Sequence, residues 1–120
     1  MRVTEAFLPQ LSRGDRPLVV AISSDMGSIA RIDTQRNYAY RSSKAALNAA
    51  MHGLAHELEP RGIGVLLLHP GWVRTRMGGS GSSPSISPEG RVPGMLSLAD
   101  RYELNLSGGF FRLDGVRMPE

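Results

Sequence analysis

The segment from Tyr40 to Lys44 places a phenol and an ammonium four positions apart. Lys44 is the only lysine of the chain, which otherwise carries its positive charge on thirteen arginines. A phenol is a poor acid at neutral pH because its pKa is about 10, and a nearby cation makes a phenol more acidic. A compact ammonium with three donors suits that task better than the planar fork of an arginine. The pair is therefore a candidate for acid–base chemistry, although the spacing alone also fits a packing tyrosine and a surface cation.

The sequence around this pair predicts a long helix that begins near Tyr38 and ends before Pro60 and Gly62. At the α-helical repeat, Tyr40 and Lys44 fall on the same face as four apolar residues. Those four are Leu47, Met51, Leu54 and Leu58. We expect the lower turns of this helix to rest on a sheet, with the phenol and the ammonium above them at the amino-terminal end.

Two apolar runs flank the helix and predict strands of a parallel sheet. The runs PLVVAISS and IGVLLLHPG are too short for free helices and rich in branched residues, which favours strands buried on both faces. Strand, helix and strand together form one βαβ unit. Ligands of open α/β sheets bind beyond the carboxyl ends of the strands, so Ser23 and Ser24 should arrive where Tyr40 and Lys44 point.

The remaining segments add less specific expectations. RVTEAFLPQLSRGD reads as the tail of a helix that begins at or before Met1. Residues 78–90 are rich in Gly, Ser and Pro and should form a mobile surface loop, and Ser87 is a plausible cap for a helix that Pro93 should kink or delay. Phe110 to Leu113 should form a short third strand.

Composition excludes several functional classes. The formal charge is only +3 and the arginines are scattered, which argues against nucleic-acid binding. With no cysteine, the chain has no disulfide, thiol nucleophile or Cys-ligated zinc. No apolar run reaches the roughly 18 residues of a membrane span, so we expect no membrane partner and a cytoplasmic location. His52 and His56 lack the neighbouring glutamate of zinc hydrolases and lie away from the Tyr40 face, so no metal is expected.

Three stretches, read in order, resemble the short-chain dehydrogenase/reductase family, in its carbonyl-reductase and C-factor-like branch. They are VVAISSDMGSI, the long segment from YAYRSSK to HPGWVRTRMGG, and SGGFFRLDG. The resemblance implies that Tyr40 donates a proton, that Lys44 makes this phenol more acidic and holds the nicotinamide ribose, and that Ser24 polarises the substrate carbonyl. Ser23 is the alternative to Ser24, because the loop between serine and tyrosine is long.

The same resemblance implies a cofactor contact after the second strand. Backbone at Pro70, Gly71 and Val73, with the hydroxyl of Thr75, would flank the nicotinamide of NAD or NADP. A glycine at position 71 allows backbone to approach a flat ring closely, although Pro-Gly by itself is an ordinary turn. Arg76 stands where many relatives carry an acidic residue, which leaves the local loop contacts open.

The resemblance starts part-way through the family fold. The family's Gly-rich turn would precede Met1, so we expect residues 1–120 to be the C-terminal part of one Rossmann-like domain, with about three parallel strands. The expected function is reduction of a small carbonyl compound or oxidation of an alcohol, completed by a missing N-terminal half or a homo-oligomer. The alternative is an inactive fragment that acts as an interaction or dimerisation module. Activity and measurable cofactor binding are not expected of the isolated chain.

Overall fold

The computed structural model describes residues 1–33, 36–74 and 86–120 of the chain. Its helices are α1 (Arg2–Leu11), α2 (Tyr38–Leu58) and α3 (Pro88–Asp100), and its strands are β1 (Leu18–Ile22), β2 (Gly64–His69) and β3 (Phe110–Arg112). Short 3₁₀ turns join them at Asp25–Gly27, Ile29–Arg31, Glu59–Arg61 and Leu104–Leu106. The predicted succession of strand, long helix and strand is confirmed.

The three described strands form a parallel sheet in the order β1-β2-β3. Ile22 lies beside Leu68, and His69 lies beside Arg112, so the carboxyl ends of all three strands share one edge. The fold class predicted from the sequence, a parallel sheet of about three strands with flanking helices, is therefore confirmed. This edge is where the candidate site residues gather.

Helix α2 covers one face of the sheet with the apolar side that the helical spacing predicts. Met51, Leu54 and Leu58 are buried, and Leu47 packs on the same cluster. They contact Val65 and Leu67 of β2, while Leu8 and Leu11 of α1 and Val19 and Ala21 of β1 extend the cluster. Each such buried aliphatic side chain contributes about 1.5–3 kcal/mol, so this face fixes the position of α2 on the sheet.

Helix α3 covers the opposite face over β2 and β3, and of β1 only Leu18 packs against the same cluster. Leu66, Leu68, Tyr102 and Phe111 are buried there, and Met95 and Leu98 of α3 pack against them. Helix α3 begins at Pro88, where the Gly90 amide donates to the Ser87 hydroxyl at 3.3 Å. The predicted cap is thus confirmed, and Pro93 does not delay the start of the helix.

The prediction that β1 is buried on both faces is wrong. Val20 and Ile22 are 39% and 42% exposed, whereas β2 is buried along almost its whole length. The physical reason is that the packing on that face reaches β1 only at Leu18, and within the described residues Val20 and Ile22 stay uncovered. Val3 and Phe7 of α1 are also exposed, and α1 instead packs through Leu8 and Leu11.

The described parts of the chain contain no helix long and apolar enough to cross a membrane. Of the Gly/Ser/Pro-rich segment 78–90, residues 78–85 lie outside the described residues, and residues 88–90 form the first turn of α3. The third strand ends at Arg112, one residue before the predicted end, because the chain turns through Asp114 and Gly115.

Candidate active site

The Lys44 side chain reaches the carboxyl end of β1. Its Nζ donates a hydrogen bond to the main-chain oxygen of Ile22 at 3.2 Å. The same Nζ lies 5.8 Å from the centre of the Tyr40 ring. The structure therefore brings the ammonium and the phenol together at the edge of the sheet where the sequence analysis placed them.

Tyr40 lies in the first turn of α2, and 37% of its surface is exposed. The helix starts directly after Asn37, which adopts a left-handed conformation with φ of 62°. Asparagine tolerates this region better than most residues, so it can set the point at which α2 begins. Because Tyr40 is in the first turn and partly exposed, its phenol is accessible to a ligand.

The two serines after β1 have different surroundings. The Ser23 hydroxyl is buried and donates to Oδ1 of Asn48 on α2 at 2.5 Å. The Ser24 hydroxyl accepts the Met26 amide at 3.2 Å, which caps the 3₁₀ turn, and donates to Oδ1 of Asp25 at 3.2 Å. Both residues are buried, but the Ser23 hydroxyl is bonded to α2, whereas the Ser24 hydroxyl caps the turn that packs on Lys44.

The 3₁₀ turn that Ser24 caps packs directly on α2 at Lys44. A Cβ added to Gly27 would lie 2.8 Å from the Lys44 carbonyl carbon and 2.9 Å from the Lys44 Cβ. Distances this short do not occur between real side chains and backbone, so only glycine permits the contact. Gly27 therefore sets how closely the Ser24 turn approaches Lys44.

Asp25 links this turn to the end of β2. Its amide donates to Nδ1 of His69 at 3.2 Å, and its carboxylate lies 3.7 Å from Nε2 of the same ring. Burial lowers the pKa of His69 below its ordinary value, and this outweighs the opposing effect of the Asp25 carboxylate. A neutral imidazole is consistent with Nδ1 acting as an acceptor. His69 thus joins the Ser24 turn to the end of β2.

The predicted cofactor contacts follow His69. Pro70 and Gly71 leave β2 at the shared edge, and Val73 forms a parallel bridge with Ile86. Gly71 has φ of 72°, and a Cβ at this position would lie 3.1 Å from Nη2 of Arg91. The space beside Gly71 is thus filled by a guanidinium from α3. Thr75 and Arg76 lie outside the described residues.

The histidine pair on α2 is remote from these groups. His52 and His56 are exposed, and their Nε2 atoms lie 3.3 Å apart. His52 also contacts the Gly108 oxygen at 3.2 Å through Nδ1. In the described ranges, no group of three or more His, Asp or Glu side chains could hold a metal ion.

Sequence reasoning missed three residues that organise the site: Gly27, Asn48 and Arg91. Asn48 could have been found, because it is a polar residue one turn after Lys44 on the side of α2 that faces the sheet. Gly27 and Arg91 carry no such signal. Their roles depend on contacts with Lys44 and Gly71, which are distant in the sequence.

Comparison with known proteins shows the family of the chain. Residues 1–84 match the family described as short chain dehydrogenase. The chain is 42% identical to C-signal of Myxococcus xanthus over 119 residues, which covers 99% of this chain and 70% of that protein. It is 35% identical to 1-hydroxy-2-glutathionyl-2-methyl-3-butene dehydrogenase of a Rhodococcus species, with coverage of 97% and 51%.

Two solved carbonyl reductases have the same fold. The NADPH-bound carbonyl reductase from chicken fatty liver superposes with a TM-score of 0.89 at 31% identity, and carbonyl reductase Sniffer of D. melanogaster with 0.87 at 34%. The chain spans 51% of each of these structures, about half their length, and 98% of its own residues are matched. From the family match, the identity to relatives and the shared fold, the chain belongs to the short-chain dehydrogenase family.

Proposed function

We propose that this chain carries the Ser-Tyr-Lys half of an NAD(P)-dependent oxidoreductase that reduces a carbonyl compound or oxidises an alcohol. The observation that supports it most directly is the position of Lys44. Its ammonium is held at the carboxyl end of β1 by Ile22 and lies beside the Tyr40 ring. The family supports oxidoreductase chemistry.

In this proposal Tyr40 donates its phenolic proton to the oxygen of the substrate carbonyl. Lys44 stabilises the phenolate that remains, because a cation favours the charged form of a neighbouring acid. Tyr40 is 37% exposed, so a substrate can approach this residue. A bound nicotinamide dinucleotide would supply the hydride. In the direction of alcohol oxidation, Tyr40 accepts the proton instead.

Ser24 is the proposed donor to the substrate carbonyl, with Ser23 as the alternative. The Ser23 proton is committed to buried Asn48, so Ser23 suits a structural role. The Ser24 proton is directed at the Asp25 carboxylate, which is 40% exposed. To polarise a substrate, this proton must turn from Asp25 to the carbonyl oxygen. Rotation of one hydroxyl is enough, since Ser24 can still accept the Met26 amide.

The donors of Lys44 fit the ribose part of a nicotinamide dinucleotide. An ammonium has three donors, and Ile22 is the one hydrogen-bond partner of Lys44 in the described part of the chain. The remaining donors can serve a ribose hydroxyl and the phenol. Backbone at Pro70, Gly71 and Val73 is proposed to flank the nicotinamide, and Thr75 to contribute its hydroxyl. NADPH in the chicken carbonyl reductase supports a nicotinamide cofactor, and NAD remains open beside NADP.

The proposed activity belongs to the assembled protein. We propose that a further segment, or a partner chain, supplies the Gly-rich turn that holds the pyrophosphate at a helix N-terminus. The span of about half the length of the matched carbonyl reductases supports this.

An interaction module is the second candidate function. Val20 and Ile22 expose an apolar strip on a strand whose outer edge has no partner among the described residues. Such an edge can pair with another strand. This candidate is distinguished from the enzyme by the absence of cofactor-dependent turnover in the assembled protein.

The test is a comparison of Tyr40→Phe with Tyr38→Phe in the assembled protein. Both changes remove one hydroxyl from the first turn of α2, and Tyr38 is 70% exposed. Carbonyl reduction is followed with NADPH and NADH on a panel of ketones and aldehydes. We expect kcat to fall by about 10²–10⁴-fold for Tyr40→Phe and to stay unchanged for Tyr38→Phe. Equal effects would contradict the role of Tyr40, and no turnover by the unaltered protein would favour the interaction module.

A further inference from the structure

A cavity of about 580 Å³ opens at the carboxyl ends of β2 and β3, against the first turns of α3. His69 and Gly71 line it from the end of β2, and Arg91 and Arg112 line it from α3 and β3. Arg31, from the 3₁₀ turn beyond β1, also lines it. The lining also includes Asp25, which accepts a hydrogen bond from the Ser24 hydroxyl, so the cavity borders the proposed serine donor.

The charged side chains that line this cavity carry a net positive charge. Three guanidinium groups, those of Arg31, Arg91 and Arg112, share the lining with two carboxylates, Asp25 and Asp114. Arg112 and Asp114 form an ion pair with each other, and Asp25 contacts His69 and Ser24. Within the described residues, neither Arg31 nor Arg91 has a carboxylate within ion-pair distance. Two guanidinium groups thus lack a carboxylate partner, and the five charged side chains of the lining sum to one positive charge.

The Arg91 guanidinium packs closely on Gly71, and one of its hydrogen-bond donors has no acceptor within the described residues. This guanidinium lies over Gly71, so close that a Cβ there would be 3.1 Å from Nη2. Its Nε is shielded from solvent and has no hydrogen-bond partner within the described residues. A buried donor without a partner costs stability, and an anionic oxygen is the acceptor that a guanidinium binds best.

The surroundings of His69 agree with this arrangement of the arginines. Burial is the main cause of its lowered pKa, and Asp25 opposes it. Arg31, Arg112 and Arg91 each lower this pKa further, so all three guanidinium charges act on one imidazole. His69 therefore reports the charge inside the cavity.

We propose that this cavity binds a carboxylate carried by the substrate, with Arg91 as its principal partner and Arg31 as a second. The inference rests on the proposed function, because it names the substrate class of the same site: a carbonyl compound with one carboxylate. A single surplus positive charge matches a monoanion better than a dianionic phosphate. The planar fork of Arg91 also suits two carboxylate oxygens.

The first test uses the unaltered chain without cofactor. Its His69 resonances are titrated by NMR with levulinate, which is a keto acid, with methyl levulinate and with inorganic phosphate. A bound carboxylate offsets the arginine charges, so we expect levulinate to raise the pKa of His69 and the neutral ester to leave it unchanged. A shift with phosphate alone, or an equal shift with the ester, would overturn the proposal.

The second test compares the affinity for levulinate of Arg91→Gln, Arg31→Gln and Arg61→Gln. Arg61 is an exposed arginine before β2, at the opposite edge of the sheet, and serves as the matched control. We expect Arg91→Gln to weaken binding about tenfold, since a charge-assisted hydrogen bond is lost, and Arg61→Gln to have no effect. Equal effects at both positions would overturn the proposal.

If Arg91→Gln fails to fold, the decision falls to Arg31→Gln, whose exposed side chain can be changed without disturbing packing. Its failure to weaken levulinate binding would then count against the site. In the assembled protein, Arg91→Gln should raise KM for levulinate far more than KM for its ester. Because binding is measured without cofactor, a loss of this site is distinguishable from a failure of the Tyr40 chemistry.

Discussion

The ammonium of Lys44 donates to the main-chain oxygen of Ile22 at 3.2 Å, which ties the second turn of α2 to the last residue of β1. The bond fixes the ammonium beside the Tyr40 ring, 5.8 Å from its centre. One donor is thereby used for positioning, while the others stay available to a phenol and a ligand hydroxyl. The Lys44 side chain thus both connects α2 to β1 and forms part of the proposed catalytic site.

Replacing Lys44 with arginine should be nearly as harmful to turnover as Tyr40→Phe. Charge is kept, but the planar guanidinium cannot reproduce a compact ammonium that faces Ile22 and Tyr40 together. We expect kcat of the assembled protein to fall by about 10²-fold or more, with a changed pH profile. The control is Arg61→Lys, the reverse exchange at an exposed site. Full turnover with an unchanged pH profile in Lys44→Arg would show that the sole lysine has no special role.

Two glycine-to-alanine changes should have opposite effects on stability. Alanine at Gly27 would press on the Lys44 backbone at 2.8 Å, so we expect the free energy of unfolding to fall by about 1–3 kcal/mol. Gly53 lies inside α2 with nothing within 4 Å of an added Cβ, so alanine there should stabilise by about 1 kcal/mol. Urea denaturation followed by circular dichroism measures both. A neutral Gly27→Ala would show that the Ser24 turn can move away from α2 without cost.

Ser23→Ala should destabilise the protein more than a surface substitution. It leaves the buried Oδ1 of Asn48 without a donor, in a side chain whose Nδ2 already has no partner within the described residues. We expect a loss of about 1–3 kcal/mol in the free energy of unfolding. The double variant Ser23→Ala with Asn48→Leu should recover part of this loss, because the orphaned amide is gone. Strictly additive effects in this double-mutant cycle would mean that the two side chains are not coupled.

The sequence was sufficient to predict the parts of the fold that repeat a local pattern. Each local pattern predicts one element: the two apolar runs predict β1 and β2, and the helical spacing from Leu47 to Leu58 predicts α2. The structure confirms the sheet and the face of α2 that packs on it. The position of Lys44 could be predicted from these elements, because in a parallel βαβ unit the helix begins near the carboxyl ends of the strands.

Other features depend on contacts between distant segments. The exposure of Val20 and Ile22 depends on how far α3 extends across the sheet, and no local pattern encodes that. Arg91 contacts Gly71 from twenty residues away, and Gly27 contacts Lys44 across a loop. The roles of Ser24, Tyr40 and the residues after β2 stay predictions.

Stability should fall as the pH drops below about 6.5, and His69 should be the cause. Its pKa in the folded protein is lowered by burial, so between the folded value and 6.5 the unfolded chain binds more protons. The contribution is fully present above 6.5 and is lost as the pH falls towards the folded pKa. Protonation at Nδ1 would also break the hydrogen bond from the Asp25 amide.

The measurement is the urea midpoint between pH 5 and 8 for the unaltered chain and for His69→Gln. Glutamine keeps an acceptor but cannot be protonated, so its midpoint should depend less on pH in this range. His56→Gln is the control, because His56 is an exposed histidine on α2. The same pH dependence in all three proteins would mean that His69 does not carry it.

The isolated chain should self-associate through β1. Val20 and Ile22 leave an apolar strip 39% and 42% exposed on a strand that pairs on one side with β2 and has no described partner on the other. Free strand edges pair readily with other chains, and a charge on such a strand opposes that pairing. Light scattering of the purified chain should therefore give a mass above 13.0 kDa that rises with concentration.

Val20→Lys should lower this mass towards that of a monomer. Val116→Lys, which places the same charge on an equally apolar residue that is 53% exposed after β3, should not. If both lysine variants lowered the mass equally, net charge would explain the effect, and a monomer at all concentrations for the unaltered chain would show that β1 does not drive association.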